Sequence, residues 1–456
     1  MMRPLLSYYG DDLTGSTDVM EALSSGGVPT VLFLNVPDDG LLGRFADCRA
    51  VGLAGTSRSE TPQWMDEHLP AAFGWLKSLE ARVCHYKVCS TFDSSPKVGN
   101  IGRAIEIGRE VFGQGTVPLL VGAPQLKRYT AFGNLFAAYR GETYRIDRHP
   151  VMSRHPVTPM DEADLLRHLS RQTAVQSSLI DLAALHAADL AERVDSATEK
   201  GGILMFDVAD LETQHIAGTQ LWRLVRDGGP FVCGSSGIEY ALLPAWVGEG
   251  VTSGSATFAP LPPVDRIAVV SGSVSPTTEA QIRHARGHGF EGIALDPVRL
   301  SGCDAGAELT KAIEAGVAAL SSGRSVILYT ALGPSADRGP EIDAHPSARH
   351  RLARALGMIL KQLVVQAGLT RAIVAGGDTS SHALGQLGVD ALTVRLPLPQ
   401  SPGSPLCVAH SRSPEIDGLE IAMKGGQIGL DDYFCLIRDG FQPSGIIPTD
   451  AGHGPV

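Results

Sequence analysis

The chain lacks the signatures of several common chemistries. Its 456 residues contain no G-x-x-x-x-G-K-[ST], and their one G-x-G-x-x-G, "GHGFEG" at 287–292, does not directly follow a predicted strand, so neither a Walker loop nor a dinucleotide fingerprint is present. No His-Glu-x-x-His helix occurs, and "CGSSG" at 233–237 has the wrong spacing for a G-x-S-x-G elbow. Hydride transfer, zinc hydrolysis and serine hydrolysis all lose ground. The seven cysteines form no Cys-x-x-Cys pair, and an odd number suits reduced thiols better than a secreted disulfide framework. Positive charge is in deficit. The formal net charge of -11 gives no general attraction to nucleic acid or anionic lipid, so an anionic ligand must meet a local cation. No apolar run reaches membrane-spanning length, and the first one is broken by charge too early for a signal-peptide core. The expectation is a cytoplasmic protein with no nucleic-acid or membrane partner.

What the chain does have is 43% hydrophobic residues with 52 glycines and 29 prolines, a composition that suits loop-rich α/β domains. Short runs rich in β-branched and aromatic residues alternate with amphipathic stretches, the pattern of βαβ units with buried parallel strands. The predicted strands are Pro4–Tyr9, Thr30–Leu34, Val51–Ala54, Val83–Val88, Val117–Val121, Ile203–Val208 and Phe231–Cys233, then Arg266–Val270, Ser325–Thr330, Arg371–Ala375, Leu392–Leu396 and Leu419–Met423. Helices are predicted at Pro62–Leu79, Asn100–Val111 and Ser347–Gln366. Between the halves, "GEGVTSGSATFAPLPPVD" can hold neither a helix nor a central strand. The predicted architecture is two α/β domains with largely parallel sheets: residues 1–250, a linker at 251–264, residues 265–440, and a tail at 441–456.

Polar residues gather where strands end. In "LLSYYGDDLTGSTD", residues 5–18, a strand stops at Gly10, Asp11 and Asp12 occupy the loop, and Thr14 or Ser16 is placed to cap a helix. Carboxylates there can bind or deprotonate a substrate hydroxyl or help hold a divalent metal. The alternative is that Asp12 only caps the helix and Asp11 makes an Asx-type turn. "YKVCSTFDSSPKVGNIGRA", residues 86–104, places Lys87 and Lys97 among donors suited to a carboxylate, or else is a solvated loop. Arg58 in "GTSRS" can pair bidentately with an acid, or simply be solvated.

In the second half, "VVSGSVSPTTEAQI" (269–282) and "AIVAGGDTSSHAL" (372–384) each run from a strand through a glycine turn into a helix, and two such turns in one domain favour an anion site. Ser271, Ser273 and Ser275 supply hydroxyls there, Asp378 and Thr379 open the second helix, and "IAMKGGQIG" (421–429) adds Lys424 and three glycines. A tight connection is the alternative for the last.

The ordered set "YGDDLTGSTD", "SR", "YKVCST", "SGSVSPTTEAQI" and "VAGGDTSS" resembles the four-carbon acid sugar kinase family over nearly the whole chain. The resemblance implies an N-terminal sugar-acid domain, a C-terminal nucleotide domain and an active site in the interdomain cleft, with ATP and Mg2+ as cofactors. It implies Asp11, Arg58, Lys87, Val88, Cys89 and Ser90 as substrate contacts. Ser273, Ser275, Gly376, Gly377, Asp378, Thr379, Lys424 and Gly425 become nucleotide contacts. Asp12 is the expected base because it lies nearer the helix start, with Asp11 as its rival. Two departures stand out: Cys89 where relatives typically carry aspartate, with no arginine following, and "KGGQIG" where they tend towards Lys-Ser-Gly-Asn-Phe-Gly. The expected substrate is a tetronate, a 3-oxo-tetronate or a branched acid such as 3-oxo-isoapionate, and a homodimer is the default assembly. The competing readings are a non-catalytic sensor of the same ligands and a sugar-acid dehydrogenase or isomerase.

Overall fold

A computed structural model describes residues 3–302, 305–343, 347–398 and 401–441; the Asp378 side chain and residues 442–456 of the expected tail lie outside that description. The chain separates into two compact units between Ala256 and Thr257.

The N-terminal unit contains, in chain order, β1 (Leu6–Gly10), β2 (Thr30–Phe33), β3 (Ala50–Ala54), β4 (Val83–Lys87), β5 (Thr116–Leu120), β6 (Arg128–Ala131), β7 (Asn134–Tyr139), β8 (Glu142–Arg145), β9 (Ser177–Ile180), β10 (Gly202–Phe206) and β11 (Phe231–Gly234). Eight of these form a parallel sheet in the order β2-β3-β1-β4-β11-β5-β10-β9. All residues of β1, β4, β5 and β10 are buried; β10 reads accordingly as a continuous apolar run, whereas β4 carries His85 and Lys87 into the interior. From β1 the chain moves to β2 and β3 on one side, and from β4 it moves to the other. The boundary between β1 and β4 is therefore a topological switch point, where open α/β sheets bind ligands beyond the strand C-termini.

The other three strands form a separate antiparallel meander, β6-β7-β8, which the sequence reading missed. Both hairpins use two-residue loops whose residues all have positive φ: Phe132 (48°) with Gly133 (78°), and Arg140 (50°) with Gly141 (89°). That is type I′ geometry, built here without the Asn-Gly or Asp-Gly pairs that usually announce it.

The C-terminal unit contains β12 (Ala268–Ser271), β13 (Phe290–Ala294), β14 (Ser325–Tyr329), β15 (Arg371–Ala375), β16 (Val389–Leu396), β17 (Leu406–Ser411) and β18 (Glu420–Lys424). Their order is β13-β14-β12-β15-β18-β17-β16, parallel as far as β18 and antiparallel over the last two pairings. Here the switch point lies between β12 and β15. The helix Ala348–Ala367 buries Leu356, Ile359, Leu360 and Leu363 completely, so truncating any one to alanine costs about 2–5 kcal/mol. Among the described residues no helix is long and apolar enough to cross a membrane.

The stretch at 251–264 is tied down from both ends. Ala256 N–H donates to Ser25 O (3.0 Å) and the Thr252 hydroxyl to Gly26 O (3.1 Å) within the first unit. In the second unit Arg395 donates to the carbonyls of Ala259 (3.0 Å) and Pro260 (2.8 Å), and Arg371 to that of Pro262 (3.0 Å). Arg371 and Arg395 also share Glu420, so backbone carbonyls that proline-rich chain cannot pair with itself are satisfied by two anchored guanidinium groups.

Candidate functional site

At the first switch point the strand ends are stitched together by backbone: Asp11 N–H donates to Lys87 O (2.9 Å) and Arg58 N–H to Asp11 O (3.1 Å). Asp12, rather than Thr14 or Ser16, caps the helix Leu13–Ser25, its Oδ1 accepting from Gly15 N–H at 2.6 Å. Capping and a chemical role are compatible, because Oδ2 points the other way, to Arg58 Nη1 at 2.7 Å. Arg58 is bidentate, as expected of it, but to Asp11: Nε to Oδ2 at 3.0 Å and Nη2 to Oδ1 at 2.7 Å. Its fork is thus committed to acids of its own chain. Burial opposes the charge on Arg58, but Asp11 and Asp12 outweigh it and raise the guanidinium's pKa. Burial likewise pushes the Asp11 carboxyl up, against the pull of Arg58. The Asp11 side chain is 5% exposed and the Asp12 side chain 29%, so Asp12 is the more accessible of the two carboxylates.

Lys87, at the end of β4, is buried with Nζ 3.8 Å from Asp18 Oδ2. Burial raises the Asp18 pKa, with Lys87 acting against it. A Cβ on Gly15 would stand 2.6 Å from Asp12 Oδ1, 3.0 Å from Lys87 Nζ and 3.4 Å from Arg58 Nη2. Asp12, Lys87 and Arg58 therefore converge over Gly15, and any side chain there would displace them. The sequence reading passed over both Gly15 and Asp18.

Beyond β4, Val88 is core: its side chain is fully buried and its N–H donates to Gly234 O at 2.8 Å. Cys89 is half-buried with Sγ 2.9 Å from the Thr91 hydroxyl, which in turn donates to Asp93 Oδ1 at 2.5 Å. Burial, reinforced by Asp93, pushes the Cys89 thiol up, so it stays protonated and acts as a small polar wall. Asp93 has a lowered pKa: burial works against it, but Arg58 and the Thr91 hydrogen bond prevail. Ser90 is half-buried beside Cys89, whereas Lys97 is exposed and lies outside the cluster.

In the C-terminal unit three strand ends meet. Gly272 N–H donates to Ala375 O (3.0 Å) and Gly376 N–H to Lys424 O (2.8 Å). Gly376 adopts φ +125°, open to glycine only, and a Cβ on Gly272 would strike Thr379 Oγ1 at 2.4 Å, so both turns need glycine to let the backbones close. Ser275 is the cap of the helix Pro276–Arg286; its hydroxyl accepts from Thr278 N–H and donates to Gly426 O, so it builds the site rather than facing a ligand. Ser273 accepts from Ser275 N–H and from the Thr278 hydroxyl, leaving its own hydrogen to donate.

Lys424 is 1% exposed, and among the described residues its Nζ has one hydrogen-bond partner, the Thr278 hydroxyl at 3.0 Å. Burial alone brings its pKa down to about 8. Thr379 is buried with no side-chain partner among the described residues, Gly377 opens the following helix, and Gly425 lies half-buried after Lys424. Asp378 belongs to that helix by its backbone. Thr278, Gly426 and Gln281, which donates to the carbonyls of Ile428 and Leu430 (3.0 Å each), were not singled out from sequence; the Ser275–Thr278 spacing of a helix cap was the available signal. Hydroxyl oxygens such as those of Ser273 and Thr379 suit a hard divalent cation. Elsewhere in this unit the donor atoms of His284, His288 and Cys435 lie within 4.8 Å of one another, about a helix length from Ser275.

The two units thus each hold a glycine-bearing switch point, one lined by carboxylates and the other by a buried ammonium. A family model described as a sugar-binding N-terminal domain matches residues 6–242, and one described as a nucleotide-binding C-terminal domain matches residues 268–434. The chain belongs to the four-carbon acid sugar kinase family. It is 48% identical over 446 residues to the 3-oxo-isoapionate kinase of Paraburkholderia graminis, covering 96% of this chain and 94% of the relative. It is 30% identical over 441 residues to the 3-oxo-tetronate kinase of Cupriavidus necator, covering 95% and 96%. A Haemophilus influenzae protein of known structure shares the fold, with a TM-score of 0.71 at 22% identity over 95% of this chain and 99% of that one.

Proposed function

We propose that the protein transfers the γ-phosphoryl group of ATP to the terminal hydroxyl of a branched sugar acid of the 3-oxo-isoapionate type. The observation that carries the nucleotide half is Lys424, a buried ammonium whose described neighbours offer a hydroxyl and no carboxylate. Burying such a charge is costly unless an anion arrives to meet it, and the helix Gly377–Leu387, with its free first N–H groups, starts next to it, because its cap Gly376 donates to Lys424 O (2.8 Å). The acid half is supported by the 48% relative over the 30% ones.

In the proposed reaction the substrate hydroxyl is received by Asp12, the more exposed of the two carboxylates. Asp12 takes the hydroxyl proton as the oxygen forms its bond to the γ-phosphorus, and the bond from that phosphorus to the bridging oxygen breaks to release ADP. Arg58 holds Asp12 and Asp11 in place. Lys87, Cys89 and Ser90 face the acid. Lys424, Ser273, Thr379 and the backbone of Gly377 and Gly425 hold the phosphates, with Gly376 closing the turn between them and Asp378 beside them in sequence. The hydroxyls of Ser273 and Thr379 would hold Mg2+ at the phosphates, where it would neutralise their charge. Phosphoryl transfer demands alignment and charge neutralisation more than covalent help, which these groups provide.

The test is a coupled ADP-release assay with 3-oxo-isoapionate, 3-oxo-tetronate and tetronate. ADP release that needs both ATP and an acid, fastest with 3-oxo-isoapionate, is the expected result. Acid binding without ADP release would make the protein a sensor instead.

A further inference from the structure

With Arg58 committed to Asp11 and Asp12 and Lys87 facing Asp18, the acid's own carboxylate lacks an evident receiver among the residues first expected to take it. The β6-β7-β8 meander supplies a different cation. Arg128, its first residue, is half-buried and, among the described residues, forms no ion pair. Its Nη1 donates to the carbonyls of its own turn, Leu126 (3.0 Å) and Lys127 (3.1 Å), while Nε is closed off from solvent without an acceptor. Its backbone is clamped in both directions to Ala123, just past the C-terminal end of β5. The C-terminal ends of β4, β11 and β5 stand side by side, Val88 N–H donating to Gly234 O (2.8 Å) and Ser235 N–H to Leu120 O (3.1 Å), so Cys89 and Arg128 lie at the same end of the sheet. Burial, with Arg128 acting in the same direction, lowers the His149 pKa. His149 Nδ1 accepts from the N–H groups of Val151 (3.2 Å) and Met152 (3.1 Å), so it offers Arg128 no counter-charge.

A half-buried guanidinium with an orphaned Nε–H is matched by a carboxylate, which takes two parallel hydrogen bonds from that edge. We propose that Arg128 receives the carboxylate of the sugar-acid substrate and orients it past Cys89 with its hydroxyl end at Asp12. This rests on the kinase reading and names the specificity-determining residue of the same site. It also gives the meander a purpose: it carries the acid's anchor on a rigid hairpin rather than on a loop.

The experiment pairs a residue change with a substrate change. The acid of the panel above with the highest kcat/KM, and its carboxamide, are compared on wild type, Arg128→Gln and Arg128→Lys, with acid binding also followed by calorimetry without ATP. Arg128→Gln is expected to raise KM for the acid about 10–100-fold, the loss of one charge-assisted pair, with KM for ATP unchanged. The wild type should lose a similar factor on going from acid to carboxamide, and Arg128→Gln almost none. Arg128→Lys, which keeps the charge without the fork, should fall between and covers the case that the glutamine variant fails to fold. If the variants discriminate acid from carboxamide as the wild type does, Arg128 does not bind the carboxylate. If no acid of the panel binds the wild type, the kinase reading itself falls.

Discussion

Arg58 in the N-terminal unit meets two carboxylates of its own chain, whereas Lys424 in the C-terminal unit, buried more deeply, meets a single hydroxyl. A cation whose counter-ions are built in is architecture: it fixes Asp11 and Asp12 at the end of β1 and opposes the rise that burial imposes on the Asp11 pKa. A buried cation without one is held at a cost that an incoming anion relieves. The same pair of residue types, a basic side chain near a glycine turn, thus does opposite work in the two units.

Asp12→Asn should break the comparison most severely. Asparagine still caps the helix, so the fold stays, while loss of the proton acceptor should lower kcat by about 10²–10⁴-fold in steady-state kinetics; unchanged turnover would move the base to Asp11. Next comes Arg58→Met, which leaves two neighbouring carboxylates, one of them buried, without their cation. A loss of about 3–5 kcal/mol in denaturant-induced unfolding of the protein is expected.

Lys424→Met should do the reverse. It removes an uncompensated buried charge, so ligand-free stability should hold or rise, while KM for ATP climbs about 10–100-fold and KM for the acid does not. Equal destabilisation by the Arg58 and Lys424 variants would erase the distinction between them.

The smallest effect is on pH. With Lys424 at about 8 in the folded chain and near 10.4 when unfolded, the folded state gives up its proton first. Between those values the unfolded state binds more protons, so the desolvation cost present below pH 8 is relieved and ligand-free stability rises with pH. ATP affinity should fall over the same window, by up to about tenfold per pH unit well above 8, and Lys424→Met should flatten both trends in binding and unfolding titrations.

Much of the fold was legible because parallel strands buried on both faces leave unbroken apolar runs. Ile203–Phe206 in β10 and Ala372–Ala375 in β15 are such runs, and the glycines that follow β15 were found with it. The meander was not legible: β6 and β8 are only partly buried, and Phe-Gly and Arg-Gly do not advertise type I′ turns. Ser275 and Val88 were credited with ligand contact because polarity and proximity to a motif are visible in sequence, while the direction of a hydroxyl or the packing of a side chain is not.

By itself, then, the amino-acid order determined two α/β halves, the strand ends where chemistry gathers, and the glycines that let backbones close there, since these follow from local periodicity and conformational freedom. Only the tertiary structure decided which charges find partners. Arg58 and Asp11 are 47 residues apart, and Lys424 and Thr278 are 146 apart. Whether a buried charge is paired depends on atoms brought within a few ångströms by folding, which no local pattern encodes.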